Sequence, residues 1–405
     1  MQNLFEKYQQ TRQKTIALTH GLSDADMTVQ SMPDASPTKW HLAHTTWFFE
    51  TFLLMPNIDS YQCFNPQYAY LFNSYYESVG ERQARQHRGM MTRPCIDEIL
   101  EYRHYVDKHM QTLFKEAIDT SIEQLIQLGI NHEQQHQELL QTDILHLFSL
   151  NPLNPSYKDA VSDTEINTGV KPDNSEAAWL TIEKGLYSIG IEDSYSGFYF
   201  DNEGPQHQVY LEDYSIATKL ITNAEWIDFI ENDGYLNPLY WLSDGWSWVN
   251  ADTITAPFYW TKKSNFWYQF GQAGLREINP DQPVRHISYY EADAYVNWRQ
   301  KNGDAVRLPT EFEWEIATKM HPEIPLAFNS LWQWTQSPYQ AYPRFKISPG
   351  AVGEYNGKFM SNQYVLRGSS FASSDDHSRS SYRNFFYPHQ RWQFTGLRLA
   401  KDGHE

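Results

Sequence analysis

The stretch "GINHEQQHQELL", residues 129–140, places His132 and His136 four residues apart in a segment with helical apolar spacing. Residues four apart lie on one face of a helix, so both imidazoles can converge on a single ion. Leu125 and Leu139 continue the same stripe, which turns this face toward a protein interior. Burying two imidazoles without a ligand or partner is costly, so the pair is predicted to bind a metal. The alternative is one exposed histidine and one hydrogen-bonded core histidine.

Four helices are predicted over the first 150 residues, and the histidine pair lies on the fourth. Ser36 followed by Pro37 is typical of a helix start, and Gly21 is typical of a helix end. The expected helices cover about residues 4–20, 37–55, 94–114 and 118–150, and a long loop covers 57–91. Four helices with one long connection indicate a four-helix bundle over residues 1–150.

The second half of the chain has a different pattern of apolar and turn-forming residues. Residues 151–178 are rich in Pro, Asn, Asp and Ser without any apolar period, which predicts a linker. In residues 179–405, "QHQVYLEDYSIA" and "YVLRGSSF" alternate like strands, whereas "TNAEWIDFIEND" and "SYYEADAYVNWRQKNG" favour short helices. This half is therefore expected to be a loop-rich unit with small sheets, and the fold class of the whole chain is α+β.

Composition limits the function classes. The 405 residues include 32 basic and 50 acidic side chains, and the net charge of −18 argues against nucleic acid or an anionic membrane as a partner. Two cysteines, Cys63 and Cys95, cannot build a disulfide framework. The N-terminus lacks the basic stretch followed by an apolar stretch that is typical of a signal peptide. The sequence also has no run of about 18 apolar residues, which a membrane-spanning helix would need. We expect a cytoplasmic protein that acts on small molecules.

A metal site needs a third ligand, and "KWHLAHTTWFF" offers His41 and His44 on a helix that could pack against the fourth. His44 shares a stripe with Trp40 and Trp47 and is preferred, although spacing alone leaves both open. Three neutral imidazoles would leave a divalent ion with open positions. Zinc would use them to make hydroxide, and Fe(II) to gather a thiolate and O₂. The ligand type does not decide between these metals.

The same stretch also fits the HExxH pattern of zinc proteases, in which Glu133 would be the general base. On a helix, however, Glu133 is rotated by about 100° from His132, and Glu138 is also off the histidine face. Both glutamates are expected to be exposed. The isolated His104, His109 and His146 are expected to be solvated or capping residues. A zinc hydrolase is the first rival hypothesis.

Six ordered motifs carry a resemblance to a known family. They are "SPTKWHLAHTTWFFETFLL", "LFNSYYESVGERQARQHRGMMTRP", "NHEQQHQELL", "WQWTQSPYQAYPRF", "VLRGSSFASS" and "RNFFYPHQRWQFTGLRLA". Together they resemble the ergothioneine-biosynthesis sulfoxide synthases, or hercynine oxygenases, over nearly the whole chain. The resemblance implies a DinB-like helical bundle followed by a formylglycine-generating-enzyme-like domain of C-type-lectin character.

The resemblance also implies a reaction. These oxidoreductases use non-haem Fe(II) and O₂ to join a cysteine-type thiol to the imidazole C2 of hercynine, the trimethyl betaine of histidine, giving a sulfoxide. By motif, the iron ligands would be His44, His132 and His136. Gln135 and Asn384 would hold hercynine.

Further roles follow from the same motifs. Phe385 and Phe386 would face the quaternary ammonium of hercynine, which aromatic rings bind well. The guanidinium forks of Arg82 and Arg85 would meet the carboxylate of the thiol substrate. Tyr75 or Tyr76 would deliver a proton or hydrogen atom.

One branch of the family carries an acidic residue where this chain has Phe386, and uses a tyrosine of the second domain. Phe386 therefore favours the pair Tyr75 and Tyr76, with Tyr339 or Tyr342 as the reserve. The same change leaves open whether the thiol is cysteine or γ-glutamylcysteine. A related ovothiol or selenoneine-type synthase and a non-catalytic binding protein are the remaining rival hypotheses.

Overall fold

The computed structural model describes residues 2–116, 118–158, 178–192, 194–347, 353 and 356–403. The chain folds into two units. The first holds the described residues of Met1–Tyr157 together with Gly353 and Ala372–His377, and the second holds the other described residues. Most of the linker predicted at 151–178 lies outside the described residues, so the domain boundaries stay a prediction.

The first unit is helical, as predicted. Its helices are α1 (Gln2–Ala17), α2 (Thr38–Phe49), α3 (Met55–Asn57), α4 (Tyr68–Phe72), α5 (Ile96–Leu113) and α6 (Thr120–Ser149). The long helices α1, α2, α5 and α6 correspond to the four that the sequence predicts. The expected long loop also carries α4 and a 3₁₀ helix, Arg85–Met90. No helix in the described part of the chain is long and apolar enough to cross a membrane.

The helix that begins at Thr38 runs further than expected. It continues through a π-helical turn, Glu50–Leu54, into α3 and so passes Pro56. Pro56 lies directly after this π-helical turn, at the start of α3. The buried Glu50 accepts hydrogen bonds from the Tyr61 and Tyr102 hydroxyls, at 2.8 and 2.6 Å.

Helices α2 and α6 approach closely at Gly129. A Cβ atom there would lie 2.6 Å from Cε1 of Phe49 and 3.0 Å from Cε1 of Phe48. Only glycine fits this space without a shift of the two rings. The close approach brings the histidines of both helices to one level of the bundle.

The second unit mixes short helices and small sheets. Its helices are α7 (Asn223–Glu231), α8 (Ser243–Ala251), α9 (Tyr289–Lys301) and α10 (Glu311–Met320). Its strands are β1 (Trp179–Ile182), β2 (Gly185–Ile189), β3 (His207–Leu211), β4 (Tyr214–Leu220), β5 (Trp260–Lys263), β6 (Phe266–Gly271), β7 (Gly274–Glu277), β8 (Trp332–Pro338), β9 (Tyr364–Gly368), β10 (Asn384–Phe386), β11 (Thr395–Gly396) and β12 (Arg398–Asp402). The described strands form sheets in the orders β1-β4-β12, β10-β9-β8-β11, β2-β3 and β5-β6-β7.

These elements agree with the predicted mixture of short helices and small sheets. The predicted helices α7 and α9 begin at capping boxes, in which the hydroxyls of Thr222 and Ser288 accept from backbone N–H groups. The segment "QHQVYLEDYSIA" contributes β3 and the first part of β4, and "YVLRGSSF" contributes β9. The α+β fold class is confirmed.

Candidate metal centre

The bundle brings three histidines together. His44 comes from α2, and His132 and His136 come from α6. One ring nitrogen of each lies within 4.8 Å of the others. The Nε2 atoms of His44 and His132 are 3.1 Å apart. All three side chains are buried, so the helix pair and the preferred third histidine meet inside the first unit.

The three imidazoles are held in their neutral form. Burial lowers the pKa of His132 to about 3. Burial also lowers the pKa of His44 and of His136 well below the ordinary value, and the other histidines of the cluster add to both effects. Neutral imidazole is the form that binds a metal, because its unprotonated nitrogen supplies the lone pair.

Hydrogen bonds aim two of these lone pairs at the cluster. The Nδ1–H of His44 donates to the backbone carbonyl of Phe72 at 2.6 Å, which leaves Nε2 unprotonated. Fixing the tautomer through the second ring nitrogen is the usual device behind a metal ligand.

His136 is oriented by a chain of two further residues. The Oδ2 atom of Asp143 accepts from Nε2 of His41 at 3.1 Å. Nδ1 of His41 then accepts from Nδ1–H of His136 at 2.8 Å, so Nε2 of His136 keeps its lone pair. His41, the alternative third ligand, therefore lies behind His136 and orients it.

The donor set fits a divalent metal ion. Two imidazole nitrogens bound to one ion at about 2.1 Å would be about 3.0–3.4 Å apart, depending on the coordination geometry. The His44 to His132 distance of 3.1 Å falls in that range. Three nitrogen donors without a carboxylate suit zinc or iron and leave positions for exogenous ligands.

Glu133 corrects an expectation from the sequence, because it is buried and not exposed. Its carboxylate accepts from Arg12 at 2.9 Å, from the Thr15 hydroxyl at 2.6 Å and from Arg103. Burial alone would raise the pKa of Glu133, but Arg103 and Arg12 outweigh it and lower this pKa to about 2. Helical geometry correctly turned Glu133 away from the histidine face, and that second face packs against α1 and α5.

Two more expectations of exposure need correction. Glu138 is half-buried, and its carboxylate accepts from the Ser373 hydroxyl at 2.6 Å. His146 is buried, with Nδ1 2.7 Å from the Ser31 hydroxyl. His104 is exposed, as expected. The long helix α6 is covered on more than one face, so polar residues outside the histidine stripe are also buried.

The two predicted tyrosines lie side by side, with ring centroids 4.7 Å apart. Tyr76 is fully buried, and its ring lies 5.7 Å from that of Trp47. The Trp47 ring in turn stacks at 5.7 Å on His44. Tyr76 is therefore one aromatic ring away from the histidine cluster, and Tyr75 is half-buried beside it.

The two predicted arginines lie near the surface. Arg82 forms an ion pair with Glu77 at 2.5 Å, and Arg85 donates to the backbone carbonyl of Asp34. The sequence reasoning missed Arg88, which is only 3% exposed and lies over the Trp40 ring. Its position in the same motif, three residues after Arg85, is the signal in the sequence that could have indicated it.

The other predicted contacts are placed as follows. Gln135 is half-buried on α6, three residues after His132. In the second unit, Asn384, Phe385 and Phe386 are half-buried on β10. The ring of Phe385 stacks on Tyr339 at 4.1 Å. Their roles in binding hercynine stay a prediction.

The reserve tyrosines are engaged within the second unit. Tyr339 is buried, and its hydroxyl accepts from Asn202 at 2.9 Å. The Tyr342 hydroxyl accepts from Arg367 at 2.8 Å and donates to Glu311 at 3.3 Å. Both hydroxyls are thus tied into the polar core of that unit.

Comparison with known families agrees with this architecture. The sulfatase-modifying factor enzyme 1-like domain matches residues 166–321 and 329–403, more than half of the chain. The chain belongs to this family. The DinB superfamily also matches residues 7–140, which contain all three clustered histidines. In this member of the sulfatase-modifying factor family, a helical region similar to the DinB superfamily thus precedes the family domain.

Individual relatives confirm the resemblance drawn from the motifs. The hercynine oxygenase of Mycolicibacterium smegmatis is 28% identical, and the alignment covers 96% of each chain. That of Mycolicibacterium thermoresistibile is also 28% identical, over 96% of this chain and 93% of the relative. A formylglycine-generating enzyme of Thermomonospora curvata is 29% identical, over 36% of this chain and 50% of its own length.

Proposed function

We propose that this chain is a non-haem Fe(II) hercynine oxygenase. It would use O₂ to bond the sulfur of cysteine or γ-glutamylcysteine to the imidazole C2 of hercynine, as a step of ergothioneine biosynthesis. The observation that carries the proposal is the buried cluster of His44, His132 and His136 in a chain similar to hercynine oxygenases over 96% of its length.

The overall reaction balances without a further reductant. The C2–H and S–H bonds break and a C–S bond forms. One oxygen atom of O₂ becomes the sulfoxide oxygen, and the other leaves as water with the two hydrogens. Both substrates together supply the four electrons that O₂ takes up.

Two groups of residues would bind the iron and hercynine. The three histidines would hold Fe(II), which when bound supplies positions for a thiolate and O₂ and the capacity for electron transfer. Gln135 and Asn384 would orient hercynine, while Phe385 and Phe386 would face its quaternary ammonium.

The thiol side of the site would use the long loop of the first unit. Arg82 and Arg85 would attract the carboxylate of the thiol substrate. The phenol of Tyr75 or Tyr76 would hold a proton for the developing oxygen charge. Burial of Tyr76 next to Trp47, one ring from His44, favours Tyr76 of the pair.

The zinc hydrolase hypothesis is weakened by the position of Glu133. A general base of the HExxH type must reach a water on the metal, but this carboxylate is bound by Arg12, Arg103 and Thr15. The strongly lowered pKa of Glu133 also makes it a poor base near neutral pH.

The test is anaerobic reconstitution with Fe(II), followed by O₂, hercynine and either thiol, with the product mass as readout. We expect a product equal to both substrates plus O₂ minus water. His44→Ala should abolish it, whereas His104→Ala, at an exposed position of α5, should not. Absence of product with both thiols, although iron is bound, would overturn the proposal.

A further inference from the structure

Arg88 is a buried cation to which the described residues offer no anionic partner. Its Nη1 donates to the Ser36 hydroxyl at 2.9 Å and its Nη2 to the Ser74 hydroxyl at 3.4 Å. In the described part of the chain, Nε has no hydrogen-bond acceptor and no carboxylate forms an ion pair with Arg88. The edge of the guanidinium formed by Nε and Nη2 is therefore almost unused.

Burial of the Arg88 charge without a carboxylate nearby costs stability in the free protein. Two neutral hydroxyls compensate little of the hydration that a guanidinium loses on burial. Burial lowers the pKa of Arg88 well below its ordinary value, and the positive charges of Arg85 and Arg82 lower it further. Asp143 is the carboxylate that opposes this effect, and it does so from beyond ion-pair distance. A bound anion would stabilise this cation, since no carboxylate among the residues that the structure describes is within ion-pair distance.

Arg88 is also close to the histidine cluster. Its guanidinium carbon is 3.4 Å from the centroid of the Trp40 ring, and the same ring stacks on His44 at 4.5 Å. The charge of Arg88 contributes to the lowered pKa of both His44 and His136. An anion bound to Arg88 would therefore lie near any molecule that the histidines hold through a metal.

We propose that Arg88 binds the carboxylate of an amino-acid substrate through its unused Nε and Nη2 edge. Two parallel N–H···O bonds from a planar fork are the strongest way to hold a carboxylate. Burial makes this cation a better anchor than Arg82 or Arg85, because an ion pair near the surface contributes little. The chemical class of the ligand rests on the proposed function, in which the thiol and hercynine both carry a carboxylate.

The test measures binding without turnover. Protein with Fe(II) added under anaerobic conditions is titrated with cysteine and with cysteamine, which lacks the carboxylate. A second pair is hercynine and its decarboxylated amine. For each pair we compare the two dissociation constants as a ratio, without the carboxylate over with the carboxylate. In the wild type this ratio should be about 30 or more for at least one pair. Arg88→Met should reduce that ratio to near one, and the pair that responds identifies the substrate.

Two controls separate binding from folding. Arg93→Met removes an exposed arginine of the same unit and should leave the ratios unchanged. Because no described carboxylate pairs with Arg88, the melting temperature of Arg88→Met should lie at most a few degrees below that of the wild type, whereas a purely structural role predicts a clear loss. If Arg88→Met does not fold, Arg88→Lys, which keeps the charge without the fork, must still lower the ratio several-fold.

Unchanged ratios for both pairs, in a folded Arg88 variant, would overturn the inference. This result is distinguishable from failure of the proposed function. A wild-type protein that binds carboxylates through Arg88 but makes no sulfoxide would contradict only the reaction. A protein that makes the sulfoxide while Arg88→Met keeps its ratios would contradict only the role of Arg88.

Discussion

Replacement of Glu133 by glutamine should destabilise the first unit. The side chain is fully buried, and its two oxygens accept from Arg12, Arg103 and Thr15. Glutamine keeps the volume but removes the charge. Arg12 would keep its ion pair with Asp107 at 2.7 Å, but Arg103 would lose the carboxylate that it contacts.

The expected cost follows from that asymmetry. Removing one member of a buried ion pair costs about 3–5 kcal/mol, because the remaining charge stays buried without compensation. We expect the lower part of this range, since the amide oxygen can still accept one hydrogen bond. In urea unfolding followed by circular dichroism, the midpoint should fall by about 1–2 M. The matched control is Glu101→Gln, at an exposed position of α5, which should stay within about 0.5 kcal/mol.

The same variant separates a structural role of Glu133 from a role as a general base. Under conditions where Glu133→Gln is still folded, the metal affinity and the sulfoxide synthase activity per folded molecule should be close to those of the wild type. A general base would behave in the opposite way. A variant with wild-type stability that binds metal but has lost its sulfoxide synthase activity would refute the structural role of Glu133 and indicate that this carboxylate takes part in the reaction.

Three further outcomes are expected. His41→Phe should weaken metal affinity by about 10–100-fold in a chelator competition, because Nδ1 of His136 loses its acceptor, whereas exposed His104→Phe should not; equal affinities would contradict the orienting role of His41. Gln135→Ala should weaken hercynine binding in calorimetry while metal stays bound, and loss of the metal would show the assignment to be wrong. The metal-free protein should lose stability as the pH falls below about 6.5. The unfolded chain then binds protons at three imidazoles that stay neutral in the folded state, because burial lowers their pKa. These three imidazoles should account for a loss of about 4 kcal/mol at pH 5.5 relative to pH 7.5, and His132→Gln should remove about a third of that contribution; a urea midpoint independent of pH would contradict buried neutral histidines.

The local pattern of the sequence was sufficient for the four long helices of the first unit and for the histidine pair. Helical period, capping residues and the glycine at position 21 act over a few neighbouring residues, so α1, α2, α5 and α6 could be predicted. The spacing of His132 and His136 fixes them on one face wherever α6 lies. The passage of the second helix through Pro56 could not be predicted, because it depends on a π-helical turn that is stabilised by contacts of Glu50 with distant tyrosines.

The relative positions of residues on different helices could be known only from the tertiary structure. His41 and His44 are both buried on α2, and only the rotation of α2 against α6 decides that His44 faces His132 while His41 stands behind His136. That rotation depends on close packing at Gly129, which no period in the sequence encodes.

By itself, the sequence determined the α+β class, the four helices and one face of a metal site, because these depend on short-range periodicity. Tertiary structure alone decided that Glu133 is a buried ion-pair partner and that Arg88 is a buried cation with an open edge. Both facts depend on which charges other helices and loops bring near them. Charge compensation in a protein interior is settled between segments distant in sequence, and a linear pattern does not record it.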